Sequence, residues 1–163
     1  MKKEEFIVKK KLILINSFIF IGVALVFLNI FISKENKVKA ASNPNNSSVQ
    51  LLARAINGEA RGEPYEGQVA VGAVILNRVK SSKFPNSIAG VIYQPGAFTA
   101  VFDGQINVPI ESKATAKKAA QDALNGWDPT GGAIYYFNPN TATNKWIWSR
   151  PLTKVIGKHR FCK

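Results

Sequence analysis

The sequence predicts an α+β domain, mainly helical, with a small antiparallel sheet at its C-terminal end. Three features predict it. Apolar residues recur at helical spacing from Val49 to Val79, an alanine- and lysine-rich run from Glu111 to Asn125 stops at Gly126, and beyond Gly126 the apolar period shortens from about 3.6 to 2.

The first 40 residues of the 163 read as an export signal. Lys2, Lys3, Lys9, Lys10 and Lys11 form a basic head, and Leu12 to Ile32 is apolar apart from Asn16, Ser17, Gly22 and Asn29. Val38-Lys39-Ala40 before Ala41-Ser42 offers small residues to a signal peptidase, so cleavage after Ala40 is the expectation. A retained membrane anchor is the alternative, because roughly 20 apolar residues cross a bilayer. The basic head puts the remainder outside the cytoplasm. Residues 41–49 read as a polar linker whose last serines can cap a helix, and residues 50–163 as one folded domain.

Within that domain Val49, Leu52, Ala53 and Ile56 predict a short amphipathic helix ending near Gly58. Pro64 opens a second helix that carries Val69, Gly72, Ala73, Leu76 and Val79 on one face. Phe84-Pro85-Asn86 breaks the chain, and Ser87 to Gln94 is a third short helix closed by Pro95-Gly96. Phe98 to Ile110 is aromatic and β-branched, so an extended loop or short strand is expected. Glu111 to Asn125 is the clearest helix. Ala133 to Phe137, Lys145 to Ser149 and Val155 to Phe161 are expected as three strands, with Asn138-Pro139-Asn140 a turn.

Charge and cysteine usage exclude several functions. From Ala41 onward the chain carries 14 Lys+Arg against 7 Asp+Glu, which suits an anionic wall polymer or membrane surface. Nucleic acid is not an expected partner, and contact with a membrane is expected only through an uncleaved leader. With Cys162 the sole cysteine and His159 the sole histidine, neither an internal disulfide nor a His/Cys zinc site can form. No cofactor or metal is expected. A thiol-peptidase pairing of His159 with Cys162 is disfavoured, because a cysteine next to the chain end is badly placed for a preorganised site.

The segment Ile56-Asn57-Gly58-Glu59-Ala60-Arg61-Gly62-Glu63-Pro64 joins the first two helices. A glutamate at a helix end is ordinarily solvated, but glycines around Glu59 let its carboxylate approach a large ligand closely. A carboxylic acid at the apolar end of a helix, covered by substrate, is what general acid catalysis near neutral pH requires. Glycosidases that use water need a second carboxylate, for which Glu63, Glu66 and Asp103 are candidates, each with an ordinary capping or surface role as the alternative. One-carboxylate chemistry, with a substrate hydroxyl attacking, stays open. Trp127, Tyr135, Tyr136, Phe137, Trp146 and Trp148 crowd the C-terminal third, more aromatic surface than one core face needs, and aromatic faces suit sugars. On a strand, Trp146 and Trp148 would share a face, as would Tyr135 and Phe137.

The block from Leu52 to Pro64, followed by Gly67 to Val79, resembles the opening motif of the cell-wall hydrolase family of spore cortex-lytic enzymes (SleB-like). Phe84-Pro85, Ile88 to Ile92, Gln94, Phe98, Ala133 to Pro139 and Ile156 to Phe161 match later blocks in the same order. The resemblance implies a lysozyme-like catalytic domain acting on peptidoglycan glycan strands in spore cortex or wall lysis, with Glu59 as its catalytic residue; export is read from the leader and not from the resemblance. It implies a lytic transglycosylase that cleaves between N-acetylmuramic acid (MurNAc) and N-acetylglucosamine (GlcNAc) and leaves a 1,6-anhydro end. A hydrolytic muramidase, and a wall-binding module without catalysis, are the alternatives. Gln94, Phe98, Tyr136, Asn138 and Trp146 are expected to line the substrate groove, and the protein is expected to be a monomer.

Overall fold

The computed structural model describes Leu28, Ile30, residues 44–111 and residues 114–163. The chain divides into two units, Met1–Asn43 and Pro44–Lys163. In the first, Leu28 and Ile30 are helical and exposed; the rest of the leader, with the cut expected after Ala40, lies outside the described residues. Among the described residues no helix is long and apolar enough to cross a membrane.

Helix α1, Pro44–Ala60, starts inside the segment read as linker and runs through Gly58 and Glu59 instead of stopping before them. Propensity favours an end at Gly58. Ile56 and Ala60, one turn apart and both buried, carry the helix past it, since packing of an apolar face outweighs one glycine. Helix α2, Tyr65–Lys80, is buried without interruption from Gly67 to Ile75 and forms the centre of the domain. It can be apolar nearly all round because α1, α3 (Ile88–Ile92), the β-strands and α5 (Thr115–Leu124) surround it. The buried face of α5 is Ala116, Ala119, Ala120 and Ala123, and these small side chains let it lie close to both α1 and α2. It begins at Thr115, after the Glu111 start read from the sequence.

Three expectations are corrected. Phe98 to Ile110 is neither extended loop nor strand: it holds α4, Thr99–Phe102, and a 3-10 turn, Gln105–Asn107. β-branched residues disfavour helix only weakly, and here buried Phe98, Ala100 and Ile106 anchor the turns. Lys145 to Ser149 is not a strand but a helical turn, α6, Lys145–Trp148, started by Asn144, whose side-chain oxygen accepts from the Trp146 N–H at 3.0 Å. Val155 to Phe161 is not one strand but the turn of a hairpin between β2, Leu152–Ile156, and β3, His159–Cys162. Gly157 has φ +57° and Lys158 does not have positive φ, the II′ pattern of a two-residue hairpin.

The sheet order is β1-β3-β2, with β1 being Tyr135–Phe137, and both pairings are antiparallel. Tyr136 lies opposite Phe161. Phe161 is fully buried and fastens the sheet to the helical core.

Candidate active site

Glu59 sits in the last turn of α1, half-buried, and both its carboxylate oxygens are occupied. Oε1 accepts from the Ala100 backbone N–H at 2.7 Å, and Oε2 accepts from the Tyr136 hydroxyl at 3.1 Å. Ala100 is in the first turn of α4, whose N-cap residue, Phe98, supplies no side-chain bond. Glu59 therefore satisfies one of the orphan N–H groups of that turn from outside. The close approach needs Gly58. A Cβ there would stand 2.4 Å from the Ala100 Cβ, so the glycine read from the sequence as clearance for a ligand is clearance for α4.

The two donors differ in kind. A backbone N–H cannot accept, so Oε1 is an acceptor in every protonation state, and any proton on Glu59 sits on Oε2. The Tyr136 hydroxyl can rotate, donating to a carboxylate or accepting from a carboxylic acid. Burial, then the charge of Glu59 and the hydrogen bond to it, push the Tyr136 phenol well above its ordinary range, so it keeps its proton.

Behind Tyr136 lie two buried cation-forming groups that sequence reasoning missed as site residues. Arg78, on α2, donates from Nε to the Ile134 carbonyl at 2.8 Å. Its guanidinium is 5.2 Å from the ring centres of both Phe84 and Phe98 and 5.8 Å from that of Tyr135. Burial lowers its pKa, and the Glu59 carboxylate is among the groups opposing that shift. The apolar pattern of α2 around a lone arginine is the signal that could have marked it. His159 packs edge-on against Tyr136 at 5.1 Å. Burial pushes its imidazole below the usual value despite the Glu63 and Glu59 carboxylates, so the ring is neutral at pH 7, and its Nδ1 has no partner.

Two of the other candidate carboxylates have structural partners, and the third is exposed. Glu63 Oε2 accepts from the Lys158 N–H of the hairpin turn at 2.8 Å. Asp103 accepts from the Gln105 N–H at 3.0 Å, and Glu66 is exposed in the first turn of α2. Among the described residues no second carboxylate shares a hydrogen-bond partner with Glu59.

The expected groove residues separate. Tyr136 meets Glu59 directly. Phe98 is 4% exposed, packed in the core under Arg78, so the expectation that it lines a groove is corrected: a side chain so buried has no surface to offer a sugar. The Asn138 side chain builds the turn, accepting from the Asn140 N–H at 3.0 Å. Gln94 is exposed after α3. Trp146 is on α6, not a strand, and stands edge-on to Tyr135 at 5.1 Å, on the side of β1 away from Tyr136. Phe102, two residues from Ala100 at the end of α4, is 93% exposed, an apolar ring that sequence reasoning passed over.

A mainly helical core with a small antiparallel sheet, presenting one half-buried glutamate between a fixed and a rotatable donor, places the domain in the lysozyme-like fold class. The comparisons agree with that class. Residues 62–162 match the model of the cell wall hydrolase family, and the chain belongs to that family. The matched span begins just after Glu59, so the reading of that residue rests on the geometry above.

Among relatives, the chain is 61% identical over 137 residues to the spore cortex-lytic enzyme of Bacillus cereus, covering 80% of this chain and 52% of the relative. It thus spans about half the length of that curated relative. Among solved structures it is similar to the catalytic domain of the Bacillus cereus SleB protein, with TM-score 0.67 and 66% identity, covering 71% of this chain and 89% of that one. It is equally similar to the catalytic domain of the germination-specific lytic transglycosylase SleB from Bacillus anthracis, with TM-score 0.68 and 66% identity, covering 71% and 93%.

Proposed function

We propose that the protein is an exported peptidoglycan-degrading enzyme that cleaves the MurNAc–GlcNAc bond as a lytic transglycosylase, with Glu59 as acid and then base. The observation that carries Glu59 as the acid–base residue is its pair of donors, and 66% identity to the catalytic domain of a germination-specific lytic transglycosylase supports that reaction over hydrolysis. In the first step the proton on Oε2 passes to the bridging oxygen as the bond to the muramyl C1 breaks. Tyr136, rotating to donate, stabilises the carboxylate as its charge develops. In the second step the muramyl 6-hydroxyl attacks C1, its proton returns to Glu59, and the 1,6-anhydro ring closes. No water is consumed, so no second carboxylate is needed to place one.

Membership of the cell wall hydrolase family supports peptidoglycan as the substrate, and the relatives supply the association with spore cortex. The leader supports export, to wall or cortex.

The test is mass spectrometry of muropeptides released from purified peptidoglycan by the chain and by Glu59→Gln. Anhydro-muramyl ends that vanish in the variant are the expected result. Reducing ends that vanish would replace this reading with a muramidase, and no release by either protein would leave a wall-binding module.

A further inference from the structure

We propose that the outer face of the sheet, on the side of β1 away from Glu59, is a second binding surface for carboxylate-bearing glycan, holding the protein to the polymer that its site cleaves; this rests on the functional reading above. Alternation along β1 sends Tyr136 to Glu59 and sends Tyr135 and Phe137 the other way. The β1–β3–β2 register continues that outer face from Phe137 through Arg160 to Val155.

Two matching aromatic–arginine pairs stand on this face. Phe137 meets Trp148 edge-on at 4.9 Å, and the Arg160 guanidinium lies 5.4 Å from the Trp148 ring centre. Tyr135 meets Trp146 edge-on at 5.1 Å, and Arg150 lies 5.1 Å from the Trp146 ring centre. Core packing accounts for Tyr135, which meets Phe84 at 6.0 Å and lies 5.8 Å from the Arg78 guanidinium, but not for the two tryptophans. Trp146 and Trp148 are 49% and 46% exposed, and Leu152 and Val155 on the adjoining strand are each 55% exposed.

Charge selects the occupant. After Asp128 the chain has no acidic residue and six cations, Lys145, Arg150, Lys154, Lys158, Arg160 and Lys163. The one ion pair among the described residues joins Lys118 to Asp122, so none of the six side chains is paired with an acidic side chain, and only the Lys158 backbone N–H meets one, Glu63. Arg150 uses its Nε on the Lys163 main-chain oxygen at 2.9 Å, and among the described residues Arg160 donates no side-chain hydrogen bond. An arginine held beside a tryptophan ring can still present guanidinium N–H groups to a carboxylate; Arg160 keeps all of its own, and Arg150 keeps its two terminal nitrogens. The adjoining ring suits the apolar face of a sugar. A polymer of sugars carrying free carboxylates, as peptidoglycan does on its peptides, matches both halves of each pair. Tethering there raises the concentration of glycan at the Glu59 site without adding any contact to the cleaved bond.

The experiment uses the full chain and Trp148→Ala/Arg160→Ala. Retention on insoluble peptidoglycan is measured in a Glu59→Gln background, and cleavage of short soluble glycan oligomers in the active background. Thermal unfolding checks that both proteins fold. The double variant is expected to bind sacculi about tenfold more weakly and to cleave the soluble oligomers at the unchanged rate. Blocking the carboxylates of the sacculi as ethanolamides is expected to bring the parent's retention down toward that of the double variant on native sacculi. Unchanged retention on native sacculi overturns the proposal. So does a parallel loss on the soluble oligomers, which would make this face part of the cleavage site. Equal retention of the parent on blocked and native sacculi overturns the carboxylate assignment. If the parent cleaves no wall, the functional reading fails, while the retention comparison still decides the surface.

Discussion

Replacing Gly58 by alanine disables Glu59 without touching it. The new Cβ falls 2.4 Å from the Ala100 Cβ, against 3.4–4 Å for ordinary contact, so α4 has to retreat by about 1 Å or more. That displacement carries the 2.7 Å bond from the Ala100 N–H to Glu59 Oε1 beyond hydrogen-bond range. Overpacking costs about 1–3 kcal/mol, partly offset by the roughly 1 kcal/mol that alanine gains over glycine in a helix. A carboxylate misplaced by about 1 Å costs on the order of 100-fold in rate. The assay is release of muropeptides from peptidoglycan, with thermal unfolding in parallel. Gly58→Ala is expected to lose about 100-fold in kcat with a Tm lower by only a few degrees. The second variant, Gly58→Ala/Ala100→Gly, carries the sharper expectation. With the Ala100 Cβ removed, the nearest atoms to the new methyl are the Gln105 Cβ at 3.5 Å and the residue-100 Cα at 3.6 Å, both ordinary contacts, and the N–H remains. Activity should return to within a fewfold of the parent. Full activity in Gly58→Ala, or no recovery in the double variant when it is folded, would refute the reasoning.

Two further predictions concern the groups around Glu59. Tyr136→Phe keeps the ring that packs on His159 and removes the rotatable donor, so kcat should fall by about 10- to 150-fold with KM little changed, the range set by about 1.5–3 kcal/mol for a hydrogen bond to a charged group; an equal rise in KM would make Tyr136 a substrate contact instead. His159 is held neutral by burial, below the usual 6.5, so the unfolded chain binds more protons and stability falls as pH drops from about 6.5 toward the folded value, with a slope of up to about 1.4 kcal/mol per pH unit. Urea unfolding across pH 7 to 4.5 should show that loss in the parent and a flatter profile in His159→Gln, because the carboxylates lowered in the fold, Asp122 and Asp128, lose their contribution only from about 3.8 downward; identical profiles would assign the slope elsewhere.

The sequence by itself determined the helical core, the presence of a C-terminal sheet, the family, and Glu59 as the residue to examine. Those features are written locally: the 3.6-residue repeat of α2 and α5, the shift to a period of 2 at Tyr135, and the run from Leu52 to Pro64. What it could not supply are elements too short to be stable alone and contacts far apart in the chain. A four-residue turn such as α4 or α6 has too few internal hydrogen bonds to overcome the cost of nucleation, so its conformation comes from its surroundings. The Asn144 cap and the Gly157-Lys158 turn were local signals for α6 and the hairpin, but the aromatic and β-branched residues around them favour strand just as strongly. The site was decided entirely by tertiary structure. Its two donors come from 41 and 77 residues beyond Glu59. Phe98 went to the core while Tyr136 went to the carboxylate, because the packing of α4 and β1 against α1 and α2, and not the aromatic character the two residues share, fixes which ring faces Glu59.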